Sequence, residues 1–391
     1  MKQAVVVDCC RTPIGRAHPE KGAFRDVRSD DLAVEVVRAL VDRSGIDPAA
    51  IEDVILGNTQ QQREQGFNVA RNVSLMAGIA VEAGGATINR LCGSSLQALN
   101  QASHAIMAGF EDVQIVGGLE HMHHIALDAG LDLNPKLFQR TSKGALMMGI
   151  TAEFLAQMNG ISREQQDRFA LESHQKATAA YTNKEFEREL IPVWGRNEAG
   201  EKVLVDRDQC VRGDTSMEAL AALKPAFMPG MGTVTAGNSS PLNDGASAML
   251  VMSEERAKEL GLTPLVRVRA TAVAGVDPCV MGTGPVPATQ KALRRAGLTL
   301  EDLDLIELNE AFAAQSLACI RMLDLAEEKV NVHGGSIAIG HPLGASGARI
   351  SATLLHRMRS TGARLGLATL CVGQGQGVAT IFENLQPPEA S

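Results

Sequence analysis

The chain has 391 residues, a length that predicts two or three domains. Hydrophobic residues make up 45% and charged residues 21%, as in ordinary globular domains, but aromatic residues reach only 3%. A protein that stacks nucleic-acid bases would carry more aromatic residues. The formal net charge of −8 also excludes a global basic field for nucleic acid or an anionic membrane.

The seven cysteines match no zinc-ribbon or zinc-finger spacing. Their scattered arrangement favours a reducing, cytoplasmic setting. The first residues run straight into an apolar strand, without the basic and long apolar segments of a signal peptide. No uninterrupted apolar run of about 18 residues occurs, so we predict no membrane span.

Strand and helix signals alternate over the first 120 residues, which is typical of a layered α/β domain. Ser29–Ser44 predicts an amphipathic helix, capped by Ser29 or Asp30 and ended by Gly45. Strands are also predicted at Val5–Val7, Val54–Leu56, Ala86–Asn89 and Val113–Val116, the last closed by Gly117 and Gly118. Helices are predicted at Gly66–Ala77 and, after the Cys92 segment, to about Met107.

The pattern changes between about Glu120 and Gly245. Two helices are predicted, near Thr151–Met158 and Arg163–Thr182, among polar, irregular stretches such as Gly195–Gly213. The change from regular strand–helix alternation to polar, irregular segments predicts an inserted loop domain. Alternation then returns, with strands at Ala246–Met252, Val266–Ala274, Leu305–Leu308, Leu365–Leu370 and Val378–Phe382, and helices at Glu254–Leu260, Pro287–Ala296 and Ser346–Met358.

An internal repeat links the two halves. In the first half a strand leads to Cys92, then to small residues, a long helix, a glycine and another strand. In the second half the same order of elements surrounds His341. Two copies of one α/β unit would place these two loops near a pseudo-twofold axis, where chemistry supplied by both halves would meet.

Cys92 lies between a predicted strand and a helix whose first turn holds Gly93, Ser94 and Ser95. The free N–H groups and the dipole at a helix start stabilise a thiolate. A lowered pKa would make Cys92 a nucleophile near neutral pH. Buried structural cysteines are common, so this residue taken alone also fits a core position.

His341 lies in the segment Gly340-His-Pro-Leu-Gly-Ala-Ser-Gly347. The proline restricts the backbone there, and the glycines allow another segment to approach closely. A histidine held in this way could take a proton from Cys92 and help to stabilise an oxyanion. A surface turn before a helix fits the local pattern equally well. A phosphate loop is a third interpretation, but the spacing lacks the Walker lysine and the dinucleotide fingerprint.

Cys371 opens the segment Cys371-Val-Gly-Gln-Gly-Gln-Gly377. Glycines expose backbone N–H groups that can form an oxyanion hole, and a second thiol could carry a proton to or from a carbon atom. A tight hairpin turn, with Cys371 as the last strand residue, is the alternative interpretation. The Gly-x-Gly pattern is a weak nucleotide signal, because a strand rather than a helix follows.

Two further polar groups have a functional and a structural interpretation. Asn309-Glu-Ala-Phe312 follows a strand, so Asn309 could position a ligand or could cap a helix. His121, His123 and His124 raise the question of a metal site. They lack a paired helical ligand spacing such as His-Glu-x-x-His, so we expect no metal.

Four segments together resemble the signature motifs of the thiolase family, in the same order and spacing. The segments are Arg90-Leu-Cys-Gly-Ser-Ser95, Asn309-Glu-Ala-Phe-Ala313, Gly340–Gly347 and Cys371–Gly377. The resemblance extends from Val5 to Phe382. Arg90–Ser95 and Met147–Glu153 favour the branch that forms the thiolase subunit of bacterial fatty-acid β-oxidation complexes, since short-chain acetoacetyl-CoA thiolases usually have a histidine in place of Met147.

The resemblance implies an acyltransferase that cleaves 3-oxoacyl-CoA. Cys92 would attack the keto carbon, acetyl-CoA would leave as an enolate, and Cys371 would protonate it and later deprotonate the incoming CoA. His341 would activate Cys92 and, with a water held by Asn309, stabilise the first oxyanion. The N–H groups of Cys92 and Gly373 would form the second oxyanion hole, and ping-pong kinetics are expected.

The resemblance also implies an α/β fold with a thiolase-like, duplicated, layered α/β/α/β/α core and an inserted loop domain. The N-terminal half would comprise 1–120 and 246–266, the CoA-binding loop domain 121–245, and the C-terminal half 267–391. CoA is a substrate, so we expect no cofactor. Six residues are expected to bind CoA. Arg212 would approach its adenine end, and the pantetheine channel would be lined by Phe227, Ala236, Ser240 and Met148. Phe312 is the sixth.

Three positions depart from the pattern of close relatives. Ala345 stands where they often carry cysteine, His123 where they often carry glycine, and Gln374 where an apolar residue is usual. None of these changes removes a catalytic group. His123 could alter the acyl pocket, so the preferred acyl chain length stays open.

Three other functions are alternatives to a degradative thiolase. An acetoacetyl-CoA (biosynthetic) thiolase would use the same residues. A ketoacyl synthase would pair its cysteine with two histidines, or with a histidine and an asparagine, and the second thiol at Cys371 argues against it. A non-catalytic acyl-CoA or lipid carrier would have lost Cys92, His341 or Cys371. The expected partners are acyl-CoA and CoA, a second copy in at least a homodimer, and a hydratase/dehydrogenase subunit.

Overall fold

Strands and helices alternate along residues 2–385, which are the residues that the computed structural model describes. The strands are β1 (Ala4–Arg11), β2 (Gly15–Arg16), β3 (Asp53–Gly57), β4 (Ala86–Ile88), β5 (Val113–His121), β6 (Val193–Arg196), β7 (Lys202–Val205), β8 (Asn243–Ser253), β9 (Val266–Gly275), β10 (Leu305–Leu308), β11 (Leu365–Val372) and β12 (Gln376–Asn384). The helices are α1 (Ser29–Ser44), α2 (Val69–Met76), α3 (Ser94–Ala108), α4 (Met148–Met158), α5 (Arg163–Thr182), α6 (Met217–Ala221), α7 (Glu254–Glu259), α8 (Pro285–Ala296), α9 (Ala313–Leu323) and α10 (Ser346–Thr361). Positions 386–391 of the predicted C-terminal half lie outside the described residues.

One mixed sheet runs through the molecule in the order β10-β11-β12-β9-β1-β8-β5-β3-β4, and β2 pairs with β8. This order is close to symmetric about the contact between β9 and β1. On one side, the parallel pair β3–β5 is followed by the antiparallel strands β8 and β1. On the other side, the parallel pair β10–β11 is followed by the antiparallel strands β12 and β9. The repeat expected from the sequence is therefore present as two copies of one strand arrangement.

Three apolar cores separate the layers of the fold. One core packs α1 and α2 on the outer face of the first half's strands, and another packs α8 and α9 on the outer face of the second half's strands. The central core packs α3 and α10 against strands of both halves. Neighbours such as Ile115 and Val116 enter different cores because side chains alternate along a strand. The layers therefore follow the order α/β/α/β/α.

The two central helices touch at their N-terminal ends. A Cβ on Gly347 would lie 2.3 Å from the backbone nitrogen of Leu96, so the contact requires glycine at this position. The N–H group of Ala348 donates a hydrogen bond to Ser95 Oγ across the contact, at 2.9 Å. The loops that precede α3 and α10 therefore lie side by side.

Two glycines that we predict to end a strand lie inside it, so this prediction is wrong. β5 continues through Gly117 and Gly118 to His121. A Cβ on Gly117 would lie 2.1 Å from the carbonyl oxygen of Ser247, and one on Gly118 would lie 2.1 Å from the carbonyl oxygen of Gly344. The glycines serve close packing between backbones rather than a turn.

Three other features differ from the sequence-based expectation. Neither Ser29 nor Asp30 caps α1, since Arg28 is the N-cap residue and makes no side-chain cap bond. Helix α9 is absent from the predicted elements because it is buried almost throughout and carries no clear polar face. The β6–β7 hairpin lies in the stretch predicted to be irregular, and its solvent-facing Trp194 and Leu204 obscure the usual alternation.

The segment between β5 and β8 carries α4, α5, α6 and the β6–β7 hairpin. Helix α4 begins at Met148, earlier than predicted, while α5 spans the predicted Arg163–Thr182. A capping box closes the start of α5, formed by Ser162 and Gln165. Across residues 2–385, no helix is both long and apolar enough to cross a membrane.

We predict that Gly347→Ala destabilises the protein, because the added methyl group would collide with the backbone of Leu96. We expect the free energy of unfolding, measured by urea denaturation, to fall by about 1–3 kcal/mol, as for other overpacked cores. Gly144→Ala is the matched control, since the nearest neighbouring atom would lie 3.6 Å from a Cβ there. Equal unfolding free energies for the two variants would contradict the close helix contact.

Candidate active site

Cys92 occupies a tight turn between β4 and α3. Leu91 adopts a left-handed conformation with φ of 44°, which side-chain-bearing residues rarely take up. Ser94 closes the turn, since its Oγ accepts the N–H of Arg90 at 2.9 Å and donates to the carbonyl of Leu91 at 2.6 Å. Strained backbone of this kind is frequent at functional sites. The turn places Cys92 immediately before α3.

The Cys92 thiol is buried, and burial raises its pKa to about 11. The N–H groups of Gly373 and of Cys92 itself act in the opposite direction, while the charge of Glu120 adds to the increase. The lowered pKa that we predict from the helix start is wrong for this structure, because lost hydration outweighs the nearby N–H groups. The thiol also packs against Met122 and Leu343.

The segment Cys371–Gly377 forms the hairpin between β11 and β12. Gln374, at its tip, has φ of 62°, as a tight turn requires. The hairpin lies against the Cys92 loop, since a Cβ on Gly93 would lie 2.8 Å from the side chain of Val372, the last residue of β11. The segment is thus a turn, and it also directs the N–H of Gly373 at the Cys92 sulfur.

Cys371 is buried at the second-to-last position of β11. Burial raises the pKa of its thiol well above the ordinary value, and the nearby thiols of Cys92 and Cys319 add to this effect. The side chain belongs to the same apolar cluster as Phe312. The electrostatic effect of Cys92 on Cys371 places both thiols in one site. A thiol with a raised pKa keeps its proton and can act as an acid.

His341 is buried and neutral. Burial lowers its pKa to about 3, and the positive charge of Arg349 contributes. Gly340 has φ of 124°, and a Cβ there would lie 2.5 Å from the side chain of Ile14. The backbone N–H of His341 donates to Asn243 Oδ1 at 2.8 Å. The backbone of the His341 loop is therefore held firmly, and the lowered pKa leaves the imidazole in the neutral form that can accept a proton.

Asn309 follows β10, and its Nδ2 lies 3.4 Å from Nε2 of His341. Its Oδ1 accepts a hydrogen bond from Ser336 Oγ at 2.7 Å. Helix α9 begins after Phe312, which is its N-cap residue, so the interpretation of Asn309 as a helix cap is wrong. Because β10 and β11 are parallel neighbours, Asn309 emerges at the same edge of the sheet as Cys371.

Glu120 joins the loops of the two halves. Its buried carboxylate accepts hydrogen bonds from Thr59 Oγ1 at 2.6 Å, from Asn58 Nδ2 at 3.1 Å and from the N–H of Gly344 at 2.9 Å. Gly344 belongs to the His341 loop, and its neighbour Leu343 packs on Cys92. The structure therefore brings together the five residues predicted to act in catalysis, namely Cys92, His341, Cys371, Asn309 and Gly373.

Four of the six residues predicted to bind CoA lie beside this group. The rings of Phe227 and Phe312 pack edge to face with centroids 6.0 Å apart, and Met148 belongs to the same apolar cluster. The N–H of Ser240 donates to the carbonyl of Ala311, next to Phe312, at 3.0 Å. Ala236 is exposed in the neighbouring turn, and Arg212 is exposed beside α5. The apolar residues thus adjoin the thiols, and the charged residue lies at the surface.

The histidines at the end of β5 are held by protein groups. The rings of His121 and His124 stack at 3.7 Å, Nδ1 of His124 lies 2.9 Å from Glu64 Oε1, and Nδ1 of His121 lies 3.3 Å from Asp244 Oδ1. In the described part of the chain, no group of three or more histidine, cysteine, aspartate or glutamate side chains is arranged to hold a metal ion.

The three positions that depart from the family pattern lie around the site. Ala345 is buried, and its carbonyl accepts a hydrogen bond from Ser247 Oγ at 2.6 Å. Gln374 is exposed at the hairpin tip. His123 is partly exposed next to Met122, which touches Cys92. Gln374 follows Gly373, whose N–H faces the Cys92 sulfur, and His123 follows Met122 of the Cys92 cluster, so both departures adjoin residues near the nucleophile.

Four buried residues that support the site are not among the site residues predicted from the sequence. These are Glu120, Ser336, Ser346 and Arg349. For Glu120 and Arg349 the sequence does contain a usable signal, since a charged residue within a buried segment is unusual unless it is paired. Glu120 is the second-to-last residue of the largely apolar β5, and Arg349 lies in the buried first turn of α10. The two serines carry no such signal.

A buried thiol faced by N–H donors, beside a second thiol and a neutral histidine, defines an enzyme of thiol-dependent acyl transfer. The comparisons with known proteins agree with this class. Family models described as the N-terminal and C-terminal domains of thiolase match residues 4–255 and 262–384. The chain belongs to the thiolase family, so the family and the enzyme class predicted from the sequence are confirmed.

Individual relatives cover nearly the whole chain. The 3-ketoacyl-CoA thiolases of Shewanella loihica and Aeromonas salmonicida are 56% and 55% identical, each over 98% of this chain and 100% of the relative. Among solved structures, an acetyl-CoA acetyltransferase of Bacillus anthracis matches with a TM-score of 0.90 and 41% identity. Human mitochondrial 3-ketoacyl-CoA thiolase matches with a TM-score of 0.90 and 38% identity. Both structural matches cover 98% of this chain and 99% of the other, and they confirm the predicted fold.

We predict that alkylation of Cys92 keeps accelerating with pH far beyond the range of an ordinary thiol. Only the thiolate reacts, and an unperturbed cysteine titrates at about 8.5, whereas burial raises the pKa of Cys92 to about 11. Iodoacetamide labelling of the Cys92 peptide, followed by mass spectrometry, should rise about tenfold per pH unit from pH 7 to 9.5. Free cysteine in the same reaction is the control. A plateau of Cys92 labelling below pH 9 would contradict the assigned direction.

Proposed function

We propose that this protein cleaves 3-oxoacyl-CoA with CoA, giving acetyl-CoA and an acyl-CoA shortened by two carbons, as a degradative thiolase of fatty-acid β-oxidation. The observation that carries the proposal is the meeting of Cys92, Gly373 and Cys371 in one buried site next to the hydrogen-bonded Asn309–His341 pair. Carbon–carbon cleavage needs a nucleophile, an acid for the carbanion and donors for the oxyanions. This arrangement offers all three.

In the first half-reaction, Cys92 Sγ attacks the keto carbon C3 and its proton passes to Nε2 of His341. The negative charge on the keto oxygen is stabilised by His341 and by a water molecule held by Asn309. The C2–C3 bond then breaks with its electron pair on C2. The thiol of Cys371 protonates C2, acetyl-CoA leaves, and the shortened acyl group stays on Cys92.

In the second half-reaction, the Cys371 thiolate takes the proton of an incoming CoA thiol. The CoA sulfur attacks the acyl carbonyl, and the N–H groups of Cys92 and Gly373 hold the oxyanion. The thiolate of Cys92 leaves and recovers its proton from His341, which closes the cycle. Burial keeps Cys92 and His341 neutral between turnovers, since it raises one pKa and lowers the other.

CoA binding in this proposal uses the apolar groups next to the thiols. Met148, Phe227 and Phe312 share one apolar cluster with Cys371, which suits the pantetheine arm of CoA. Ala236 and Ser240 complete the channel, and the exposed guanidinium of Arg212 would meet the adenine end. CoA enters as a substrate, so the proposed reaction draws on no separate cofactor. The inserted segment, 121–245, would then be the CoA-binding loop domain between the two catalytic halves.

Acetoacetyl-CoA (biosynthetic) thiolase activity is the second candidate. It is favoured by the structural match to an acetyl-CoA acetyltransferase of Bacillus anthracis, with a TM-score of 0.90. The same residues would run the reaction in either direction, so the two candidates differ in acyl chain length. A non-catalytic carrier gains no support, because its function would not need the acid and the oxyanion donors that surround Cys92.

We infer that the protein works as a homodimer, and together with a hydratase/dehydrogenase subunit, in the cytoplasm. The short strand β4 lies at the edge of the sheet, and Phe67 and Val81 nearby in the chain are 97% and 68% exposed. Such an apolar surface suits a second copy. The seven cysteines are all free thiols, six of them buried, which fits a reducing compartment.

We predict that wild-type protein releases acetyl-CoA from 3-oxoacyl-CoAs of graded chain length when CoA is added. Cys92→Ala should reduce this rate by on the order of 10⁴-fold or more, since a covalent nucleophile is lost. Acetyl-CoA is measured directly as the product. The matched control is Cys319→Ala, whose buried thiol donates to the carbonyl of Gly282 and accepts from Nε2 of Gln315. An active Cys92→Ala variant would refute the assignment, and activity confined to acetoacetyl-CoA would favour the second candidate.

Cys371→Ala should separate acylation from carbon–carbon cleavage. Without the acid for C2, we expect acetoacetyl-CoA cleavage to fall by about 10²–10⁴-fold, the usual contribution of a general acid. Slow acylation of Cys92 by acetyl-CoA should persist, because this exchange of one thioester for another breaks no carbon–carbon bond, and intact-mass spectrometry would detect the acetyl group. Wild-type cleavage rates in this variant would exclude Cys371 as the acid.

A further inference from the structure

A continuous chain of buried side chains runs through the Asn309–His341 pair. Ser336 Oγ accepts a hydrogen bond from Nη2 of Arg349 and donates to Asn309 Oδ1 at 2.7 Å. On the other side of His341, its Nδ1 lies 2.6 Å from Ser346 Oγ. Ser346 Oγ in turn lies 2.9 Å from the carbonyl of Pro342, to which it donates. The side chains of Ser336, Asn309, His341 and Ser346, which lie between Arg349 and the Pro342 carbonyl, are almost completely buried.

The two ends of this chain can act in only one way. The guanidinium of Arg349 carries N–H donors and no acceptor, so Ser336 must accept from it and give its own proton to Asn309. The carbonyl of Pro342 is an acceptor only, so it takes the single proton of Ser346. Every bond between these ends must then point in the same direction.

This direction fixes the groups that face the reaction. Ser336 donates to Oδ1 of Asn309, so the NH₂ group of the amide is turned towards His341. Ser346 donates its only hydroxyl proton to the carbonyl of Pro342, so Nδ1 of His341 must carry a proton and donate to Ser346 Oγ. Neutral imidazole carries one ring proton, which leaves Nε2 as a bare acceptor opposite the Asn309 amide.

We propose that Ser336 and Arg349 are positioning residues, which hold Asn309 as a donor and His341 as the Nδ1–H tautomer. The proposal rests on the proposed function for its catalytic meaning. There, the bare Nε2 receives the proton of Cys92, and one N–H of Asn309 is left for a water molecule at the keto oxygen. A flipped Asn309 amide would present its oxygen, an acceptor, where a donor is needed. The other tautomer of His341 would carry a proton on Nε2, where the base is needed.

Arg349 suits this task because its buried guanidinium carries donors and no acceptor. It is completely buried in α10, near Glu307 on β10, whose pKa burial raises to about 8, and the charge of Arg349 acts on His341. An arginine stays protonated in such a place where a lysine would be prone to lose its proton. Burial lowers the pKa of the Arg349 guanidinium and Glu307 acts in the opposite direction, and an arginine keeps its proton near neutral pH.

The tautomer itself can be observed without substrate. Long-range ¹H–¹⁵N correlation spectra of protein labelled with ¹⁵N-histidine distinguish a protonated ring nitrogen from a bare one. The chain has nine histidines, and the signals of His341 are identified by their loss in His341→Gln. We expect a protonated Nδ1 and a bare Nε2 in wild-type protein. A protonated Nε2 there would overturn the proposal.

Ser336→Ala removes the donor that orients the amide. Asn309 can then turn its oxygen towards His341, and we expect the Nε2–H tautomer to appear in the spectrum. The kcat for 3-oxoacyl-CoA cleavage should fall about 10- to 100-fold, while the KM changes less than about threefold, because only transition-state contacts are lost. Ser351→Ala is the matched control, since this buried hydroxyl only donates to the carbonyl of Gly347 in its own helix, at 2.8 Å.

Arg349→Met tests the far end of the chain and should give the same tautomer mixture. If this variant does not fold, the wild-type and Ser336→Ala spectra still decide the claim. A Ser336→Ala protein that keeps the pure Nδ1–H tautomer and the kcat of Ser351→Ala would overturn it. If wild-type protein cleaves no 3-oxoacyl-CoA, the proposed function fails, and the spectra still test the hydrogen-bond chain on their own.

Discussion

The contact between the N-terminal ends of α3 and α10 is the constraint on which the rest of the site depends. Gly347 has no side chain, so α10 can rest on the backbone of Leu96. Each helix is preceded by a loop, and the contact sets the Cys92 loop beside the His341 loop. The hydrogen bond from Ala348 to Ser95 and the carboxylate of Glu120 fix the same arrangement from two sides. A duplicated fold thus creates a site that neither half contains.

Burial sets the chemistry of this site as much as the identity of its residues. It raises the pKa of both thiols and lowers that of His341, so the resting groups are neutral. A neutral site costs less to bury than an ion pair. It also reserves the N–H groups of Gly373 and Asn309 for negative charge that develops on a substrate. Stabilisation by such preorganised donors is commonly the largest contribution to catalysis.

Residues whose role depends on local sequence were predictable. The strand-to-helix position of Cys92 and the glycines of the Cys371 hairpin follow from turn and helix chemistry, and the alternation of elements predicted the layered halves. The family resemblance supplied the roles that local chemistry left open. The α5 boundaries followed from its helix signals and the Ser162 start.

Features that depend on contacts between distant segments were not predictable. The pKa of Cys92 depends on burial against loops of the second half, which the neighbouring residues in the sequence do not reveal. The length of β5 depends on backbones that approach Gly117 and Gly118 from far along the chain. Asn309 was ambiguous because its partners, Ser336 and His341, lie 27 and 32 residues further on. Helix α9 lacked an amphipathic pattern because it is enclosed on nearly all sides.

The central claim is that Cys92 carries the acyl group in a site completed by the second half. Its most direct test is to mix wild-type protein with 3-oxodecanoyl-CoA in the absence of free CoA, and to map the adduct by peptide mass spectrometry. The account predicts one octanoyl group on Cys92 for each acetyl-CoA released. Acetyl-CoA released without an acyl group on the protein, or an acyl group on Cys371 or another residue instead, would contradict it.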